Sequence, residues 1–363
     1  MVTLRKLIQN ILSVPDRKQT YNKRLDRYRN LFPFVPNNFE DIILDNGPWY
    51  VHGLAFRMAT FPIACENILQ RLNDLIGIAK QLDGWENESK NTGKSWSKNY
   101  DEFFHFLWML QCMEYFLEHD CEVRFSDTAN AKQPDLIIKS VNANQFFAEC
   151  YVYSKWWFKE SFFEEIIYLI HPNLRIERTY NLKTESQGNV FNDLLTAIGN
   201  ILTKDKLDTA EKEASIKSPY LIYEIGNIRI LFDGDGEYKA SVNAHGDPVE
   251  SFKVYLKEIV KSKEKQNALD SCRPNILMVN GLGVDYQNVF FSSAPKEPNL
   301  NSDSIDEVVL FACGIDAKIS ECTRRLIISL MQKHNNAINE DSEKWHSFDT
   351  SLFTAVDSHV MRI

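Results

Sequence analysis

The sequence has few of the residues that break or loosen regular structure. Its 363 residues include 14 Gly and 12 Pro, and they form no Gly-rich or Pro-rich tract and no internal repeat. This excludes collagen-like, linker-like and solenoid architectures. A hydrophobic content of 44% is sufficient for a large buried core, and a chain of this length typically divides into about two or three domains. We therefore expect a globular protein.

Long apolar runs and paired cysteines are absent as well. No stretch approaches the roughly 20 apolar residues of a transmembrane helix, and charges interrupt the N-terminal segment before it reaches signal-peptide length. The seven cysteines are widely spaced, and the histidines fall in no zinc-binding arrangement. We therefore predict a cytoplasmic protein with reduced cysteines, no zinc chemistry and no membrane partner.

The charge balance is acidic, with a net charge of −9. This argues against a surface that is basic all over, because Lys and Arg supply most non-specific affinity for phosphates. A local exception precedes Leu31, where basic residues far outnumber Asp16 and Asp26: Arg5, Lys6, Arg17, Lys18, Lys23, Arg24, Arg27 and Arg29. This segment is interpreted either as a solvated helix face or as an arm that contacts phosphates.

Hydrophobic patterning divides the chain into three regions. Residues 1–95 are predicted to be helical, with a break at Pro15 and a polar, breaker-rich segment at residues 83–95 that ends the region. Residues 96–290 are predicted to form a core with an α+β insertion at 156–247. Residues 291–363 are predicted to add one strand, from Glu307 to Cys313, and one helix, from Ile319 to His334, that pack on the core.

The core elements follow each other in an order typical of α/β proteins. A helix buried on most sides is predicted from Tyr100 to His119. Strands and one further amphipathic helix follow it: Cys121–Phe125, Asp135–Lys139, Gln145–Tyr153, the helix Pro248–Leu269 and the strand Pro274–Gly281. This order predicts the α/β class, with a mixed central sheet flanked by helices.

Two acidic residues of adjoining strands are the candidates for chemistry. Asp135 begins one predicted strand and Glu149 lies inside the next, and the short connection 140–144 makes the two strands neighbours in a hairpin. A charged Glu149 among apolar neighbours needs a partner, which can be a metal ion or a basic side chain in an ion pair. Two converging carboxylates are the hard oxygen ligands that suit Mg²⁺ or Mn²⁺.

Pro134-Asp135, followed by Glu149-Cys150 on the next strand, resembles the signature of the PD-(D/E)XK nuclease superfamily. The resemblance covers about residues 100–155 and 248–283, and it implies a restriction-endonuclease-like core. It further implies hydrolysis of DNA phosphodiester bonds by metal-activated water, with Asp135 and Glu149 binding Mg²⁺ or Mn²⁺. The family often adds a carboxylate from the preceding helix, for which Glu102 is favoured over Glu114.

The lysine of the family signature is missing, because Tyr151 stands in its place. The resemblance implies a substitute, and the sequence offers Lys155, Lys263 or Lys265 as the catalytic cation, with Gln266 to orient water or phosphate. The alternative is a catalytically degenerate nuclease fold that binds nucleic acid or protein. A third hypothesis is an unrelated α/β protein in which Glu149 pairs with Arg or Lys. A homodimer is left open.

Overall fold

The computed structural model describes most of the N-terminal half of the chain and separate segments of the rest. The described residues are 4–45, 50–98, 102–126, 134–141, 145–152, 166–181, 198, 204–225, 228–234, 241–245, 259–263, 275–280, 305, 307–311, 313, 317–321, 325–329 and 361–362. All structural statements below concern these residues.

The N-terminal region is helical, as predicted. Its α-helices are α1 (Leu4–Leu12), α2 (Pro15–Arg27), α3 (Gly53–Thr60), α4 (Glu66–Ala79), α5 (Trp85–Lys98) and α6 (Phe103–Glu118). Pro15 occupies the first turn of α2, where its missing N–H leaves no helical hydrogen bond unmade. The predicted break at Pro15 is therefore confirmed. Among the described residues, no helix is both long and apolar enough to cross a bilayer.

The prediction that the helical region ends in the polar segment 83–95 is wrong, because α5 runs through this segment. Trp85 and Trp96 are buried on one side of this helix, and the Trp96 ring stacks on Phe106 of α6 with a centroid distance of 4.0 Å. Burial of two indole rings outweighs the poor helix propensity of the intervening polar residues. The predicted domain boundary at residue 95 falls inside α5, and the helices share one hydrophobic core with the sheet.

Gly84 sets the start of α5, and its replacement should be costly. Its φ is +83°, and a Cβ there would overlap the carbonyl oxygen of Phe125. We expect Gly84→Ala to lower the free energy of unfolding by about 2 kcal/mol or more, from backbone strain and the clash together. Chemical denaturation provides the measurement.

Gly77→Ala is the matched control for this substitution. A Cβ at Gly77 meets only the end of the Asn30 side chain, at 2.8 Å, and Ala is the better helix former. We expect a change below about 1 kcal/mol. Equal effects of the two substitutions would show that the backbone contact at Gly84 is not what makes it necessary.

The central sheet has seven strands in the order β1-β2-β3-β8-β9-β10-β11. Their bounds are β1 (Glu122–Phe125), β2 (Leu136–Lys139), β3 (Gln145–Val152), β8 (Asn275–Asn280), β9 (Glu307–Phe311), β10 (Arg325–Ser329) and β11 (Met361–Arg362). The β1-β2-β3 unit is antiparallel, whereas β3, β8 and β9 are parallel. The sheet is mixed, which confirms the predicted α/β class.

Both faces of the sheet are covered. On one face lies α6, whose Trp108 Nε1 donates to the carbonyl oxygen of Met278 at 3.0 Å and whose Phe116 packs against Phe146 of β3. A further helix, α9, of which residues 259–263 are described, has Ile259 and Val260 buried. Every residue of β8 is buried, as expected for a parallel strand that is covered on both faces.

The predicted insertion contains helices and a second sheet, as expected of an α+β unit. Its described elements are α7 (residues 166–170), α8 (Lys204–Ala214), β4 (Leu174–Asn181), β5 (Tyr220–Ile225), β6 (Ile228–Phe232) and β7 (Ser241–His245). The strand order in this sheet is β5-β6-β4-β7. The insertion lies between β3 and β8, which are neighbours in the central sheet, so the central sheet is continuous across it.

The helix predicted from Ile319 to His334 is wrong over its described part. A short 3₁₀ helix covers Ile319–Glu321, and Arg325–Ser329 forms β10, antiparallel to β9. The apolar run Leu326-Ile327-Ile328 is compatible with a helix and with a strand, because short apolar runs do not distinguish a buried helix from a buried strand. The segment is a strand because its backbone pairs with β9. Of the described cysteines, Cys112, Cys121, Cys150 and Cys313 are buried, and Cys65 is partly buried.

Candidate functional site

Strand register places Asp135 opposite Glu149. Leu136 of β2 pairs with Ala148 of β3 in antiparallel register, so the preceding residue of β2 faces the following residue of β3. Glu149 in turn lies beside Leu277 of β8. The two carboxylates that the sequence predicts to be neighbours are therefore brought together at the point where β2 begins.

The Asp135 carboxylate completes the hydrogen bonding of β3. Because β2 begins at Leu136, the N–H groups of β3 beyond Glu149 have no ladder partner on that side and need other acceptors. The Cys150 N–H donates to Asp135 Oδ2 at 2.7 Å, and the Val152 N–H donates to His105 Nδ1 at 3.4 Å. One oxygen of Asp135 is thus fixed by the backbone next to Glu149.

A lysine from a distant part of the chain reaches the same place. Lys263 of α9 forms an ion pair with Glu149, Nζ to Oε1, and the two side chains are only 14% and 6% exposed. The same Nζ lies 5.8 Å from the centroid of the Tyr151 ring. Among the predicted lysines, Lys263 is brought to the carboxylates, and Lys155, Lys265 and Gln266 lie outside the described residues.

Burial and neighbouring charges change the pKa values of Asp135 and Lys263. Burial and then the negative charge of Glu149 raise the pKa of Asp135 to about 8, against the opposing effects of Lys263 and the Cys150 N–H. Burial works to lower the pKa of Lys263, but the carboxylates of Glu149 and Asp135 outweigh it and the pKa is raised. The site therefore holds a charged amine beside a carboxyl group, Asp135, whose pKa is raised to about 8.

A further acidic residue contributes to the site and was missed by the sequence analysis. Glu88 of α5 is buried, and its charge also raises the pKa of Asp135. It lies in the polar segment that was predicted to end the helical region. The signal that could have found it is spacing, because Trp85, Glu88 and Trp96 fall on one side of an ideal helix.

The two helix carboxylates suggested as additional metal ligands are placed differently. Glu102 immediately precedes α6, where its backbone carbonyl accepts a hydrogen bond from the Phe106 N–H at 3.1 Å. Glu114 is buried and held by Arg71 of α4, with Nη1 donating to Oε1 at 2.7 Å. In the part of the chain that the structure describes, no group of three or more His, Cys, Asp or Glu side chains could hold a metal ion. Glu102 is therefore not brought to Asp135 and Glu149 as a third ligand.

The basic N-terminal segment is largely engaged within the helical region. Arg24 is buried and pairs with Glu66 at 2.6 Å, and Lys18 pairs with Glu40 at 2.6 Å. These contacts hold α2 to the segments that follow it. They favour the structural interpretation of the segment over a phosphate-contacting arm.

The donor set fits a small divalent cation. Mg²⁺ is commonly bound through one or two carboxylates and completes its coordination with water and substrate phosphates. Asp135 and Glu149 supply two such carboxylates side by side. A divalent cation beside them would oppose the effects of burial and of the Glu149 charge, which raise the pKa of Asp135. Two residues of this kind can hold a metal, and Lys263 can face an anion bound to it.

Comparisons with known proteins give no relative. No protein-family model matches the chain, no curated protein matches it, and no solved structure matches it.

Proposed function

We propose that this chain is a Mg²⁺-dependent nuclease of the PD-(D/E)XK kind, which hydrolyses phosphodiester bonds in DNA. The observation that carries the proposal is the convergence of Asp135, Glu149 and Lys263 from three separate elements. Two carboxylates and a buried ammonium are the groups that this chemistry requires. The order α6-β1-β2-β3-α9-β8 along the chain supports the same family.

Each residue has a distinct role in this proposal. Asp135 and Glu149 would hold Mg²⁺ or Mn²⁺, which when bound supplies an activated water at neutral pH and stabilises charge on the phosphate. Lys263 donates to a phosphate oxygen on which negative charge builds in the transition state. Lys263 takes the part of the family lysine that Tyr151 replaces, because a phenol carries no positive charge.

A second candidate function is a degenerate nuclease fold that acts as a binding module. The observation that favours it is the buried ion pair between Lys263 and Glu149, which satisfies the charge of Glu149 without a metal. In this case the pair is structural, and the protein binds a partner without cleaving it. Cation binding separates the two functions, because an intact site gains stability from the ion by mass action.

The direct test is cleavage of double-stranded and single-stranded DNA, and of RNA, with Mg²⁺ or Mn²⁺. We expect metal-dependent cleavage of DNA, a Mn²⁺-dependent rise in melting temperature, and loss of both in Asp135→Ala and Glu149→Ala. Glu122→Gln is the matched control, because Glu122 is exposed and forms only a surface ion pair with Lys139 at 2.9 Å, worth little to stability.

The outcomes distinguish the candidates clearly. DNA binding without cleavage and without stabilisation by Mn²⁺ would establish the binding module. Cleavage that persists unchanged in Asp135→Ala and Glu149→Ala would rule out this site as its source. Cleavage of RNA alone would retain the site but change its substrate.

A further inference from the structure

Tyr151 stands where the proposed family carries its lysine, and its ring lies beside the lysine that reaches the site from α9. Tyr151 and Glu149 alternate with buried Cys150 on β3, so both side chains project from the same face of the strand. Lys263 Nζ lies 5.8 Å from the Tyr151 centroid while it contacts Glu149 Oε1. The ammonium thus has a carboxylate on one side and an aromatic ring on another.

The position of the tyrosine ring is itself supported by α6. The His105 ring meets Tyr151 edge to face, with a centroid distance of 5.2 Å and an interplanar angle of 71°. His105 is fixed in turn, because its Nδ1 accepts the Val152 N–H at 3.4 Å. Since Nδ1 is an acceptor, the proton of the neutral ring resides on Nε2.

The charge state of His105 agrees with this arrangement. Burial and then the positive charge of Lys263 lower the pKa of His105 to about 4. The imidazole therefore stays neutral at physiological pH and does not repel Lys263. A neutral ring also keeps the lone pair that the Val152 N–H needs.

We infer that Tyr151 is a positioning residue, whose ring holds the Lys263 ammonium beside Glu149. The His105 ring packs edge to face against Tyr151 and fixes the position of the tyrosine ring. An aromatic face attracts a cation within about 6 Å of its centroid, and Lys has a flexible stem that adopts many conformations unless it is held. The inference rests on the proposed function for the role of Lys263. The seating of the amine can be measured without any cleavage.

The experiment compares Tyr151→Phe, which keeps the ring, with Tyr151→Leu, which removes it. The readout is the rate of reductive methylation of Lys263 in the metal-free protein, followed by mass spectrometry of its peptide. We expect the rate in Tyr151→Phe to stay within about twofold of the wild type and the rate in Tyr151→Leu to rise at least about fivefold. The rise follows because the side chain, only 14% exposed when seated, would become accessible.

Exposed Lys261 on the same helix provides the internal reference in every sample. Its methylation rate should not change among the variants, and a parallel rise at Lys261 would mean general loosening of the helix and would overturn the inference. Tyr151→Met is the second ring-free variant should Tyr151→Leu not fold. Equal labelling of Lys263 in the ring-free variant and the wild type also overturns the inference.

Kinetics then connect the seating to the proposed reaction. We expect the ring-free variant to lose about tenfold in kcat at nearly constant KM, and Tyr151→Phe to restore kcat. If the wild type cleaves no nucleic acid but Lys263 is labelled faster in Tyr151→Leu than in the wild type, the positioning role stands and the proposed function is ruled out. If the wild type cleaves DNA but Lys263 is labelled equally fast in Tyr151→Leu and in the wild type, the positioning role alone is ruled out.

Discussion

Lys263→Met is expected to lower DNA cleavage by at least about 10²-fold to 10³-fold, the typical cost of removing one group that stabilises transition-state charge. It should not weaken metal binding. Lys263 is the positively charged partner of Glu149, so its removal leaves two neighbouring carboxylates without that cation. We therefore expect Mn²⁺ to bind at least as tightly as in the wild type, and cleavage and metal binding to separate in one variant.

Lys263→Met should also have opposite effects on the stability of the metal-free protein and on its stabilisation by Mn²⁺. Removal of one member of a buried ion pair typically costs about 3–5 kcal/mol, because the other charge stays buried. We expect a lower melting temperature without metal, and a larger gain on addition of Mn²⁺ than the wild type shows. Differential scanning fluorimetry at several Mn²⁺ concentrations measures both values.

Lys261→Met is the control for this substitution. Lys261 lies two residues earlier on α9 and is exposed, so the same change of residue type removes a charge without touching the site. Its cleavage rate and Mn²⁺ response should match the wild type. Full activity in Lys263→Met would show that the catalytic cation lies elsewhere, and loss of the Mn²⁺ response would show that the pair with Glu149 is needed to build the metal site.

The sequence was sufficient to predict the local half of the site. Asp135 and Glu149 belong to adjacent strands of one hairpin, where alternation and a short connection determine the register. Lys263 is different, because 114 residues separate it from Glu149. Sequence patterns could name it as one of three lysines, but its selection depends on how α9 packs against the sheet, and no local rule encodes this packing.

The failures of the sequence analysis share one physical cause. Residues 83–95 have polar, breaker-rich composition, yet burial of Trp85 and Trp96 makes the segment a helix and carries Glu88 into the core. The run at 325–329 fits a helix locally, yet it pairs with β9. In both places, tertiary contacts outweighed preferences worth at most about 1 kcal/mol per residue. Glu88 was missed for this reason, because its segment was predicted to end the helical region.

The affinity for Mn²⁺ is expected to rise about tenfold for each pH unit between pH 6 and pH 8, and to level off above. Burial and the charge of Glu149 raise the pKa of Asp135 to about 8, so below this pH the ion must displace one proton to use the carboxylate. Calorimetric titration in buffers of different ionisation enthalpy measures the affinity and the released proton together. An affinity that does not change between pH 6 and pH 8 would contradict an Asp135 that titrates on metal binding.

The same proton should be visible in the stability of the metal-free protein, with the opposite dependence on pH. The pKa of Asp135 is raised above its value of about 3.9 in an unfolded chain, so the folded chain binds more protons between about pH 4 and pH 8. Its contribution to stability is therefore fully present below pH 4 and is lost as pH rises towards 8.

Asp135→Asn should remove this loss and the pH dependence of Mn²⁺ binding together, because both come from one carboxyl group. Glu88→Gln should move both transitions to lower pH, because the charge of Glu88 helps to raise the pKa of Asp135. If Asp135→Asn removes only one of the two dependences, a second titrating group takes part in metal binding.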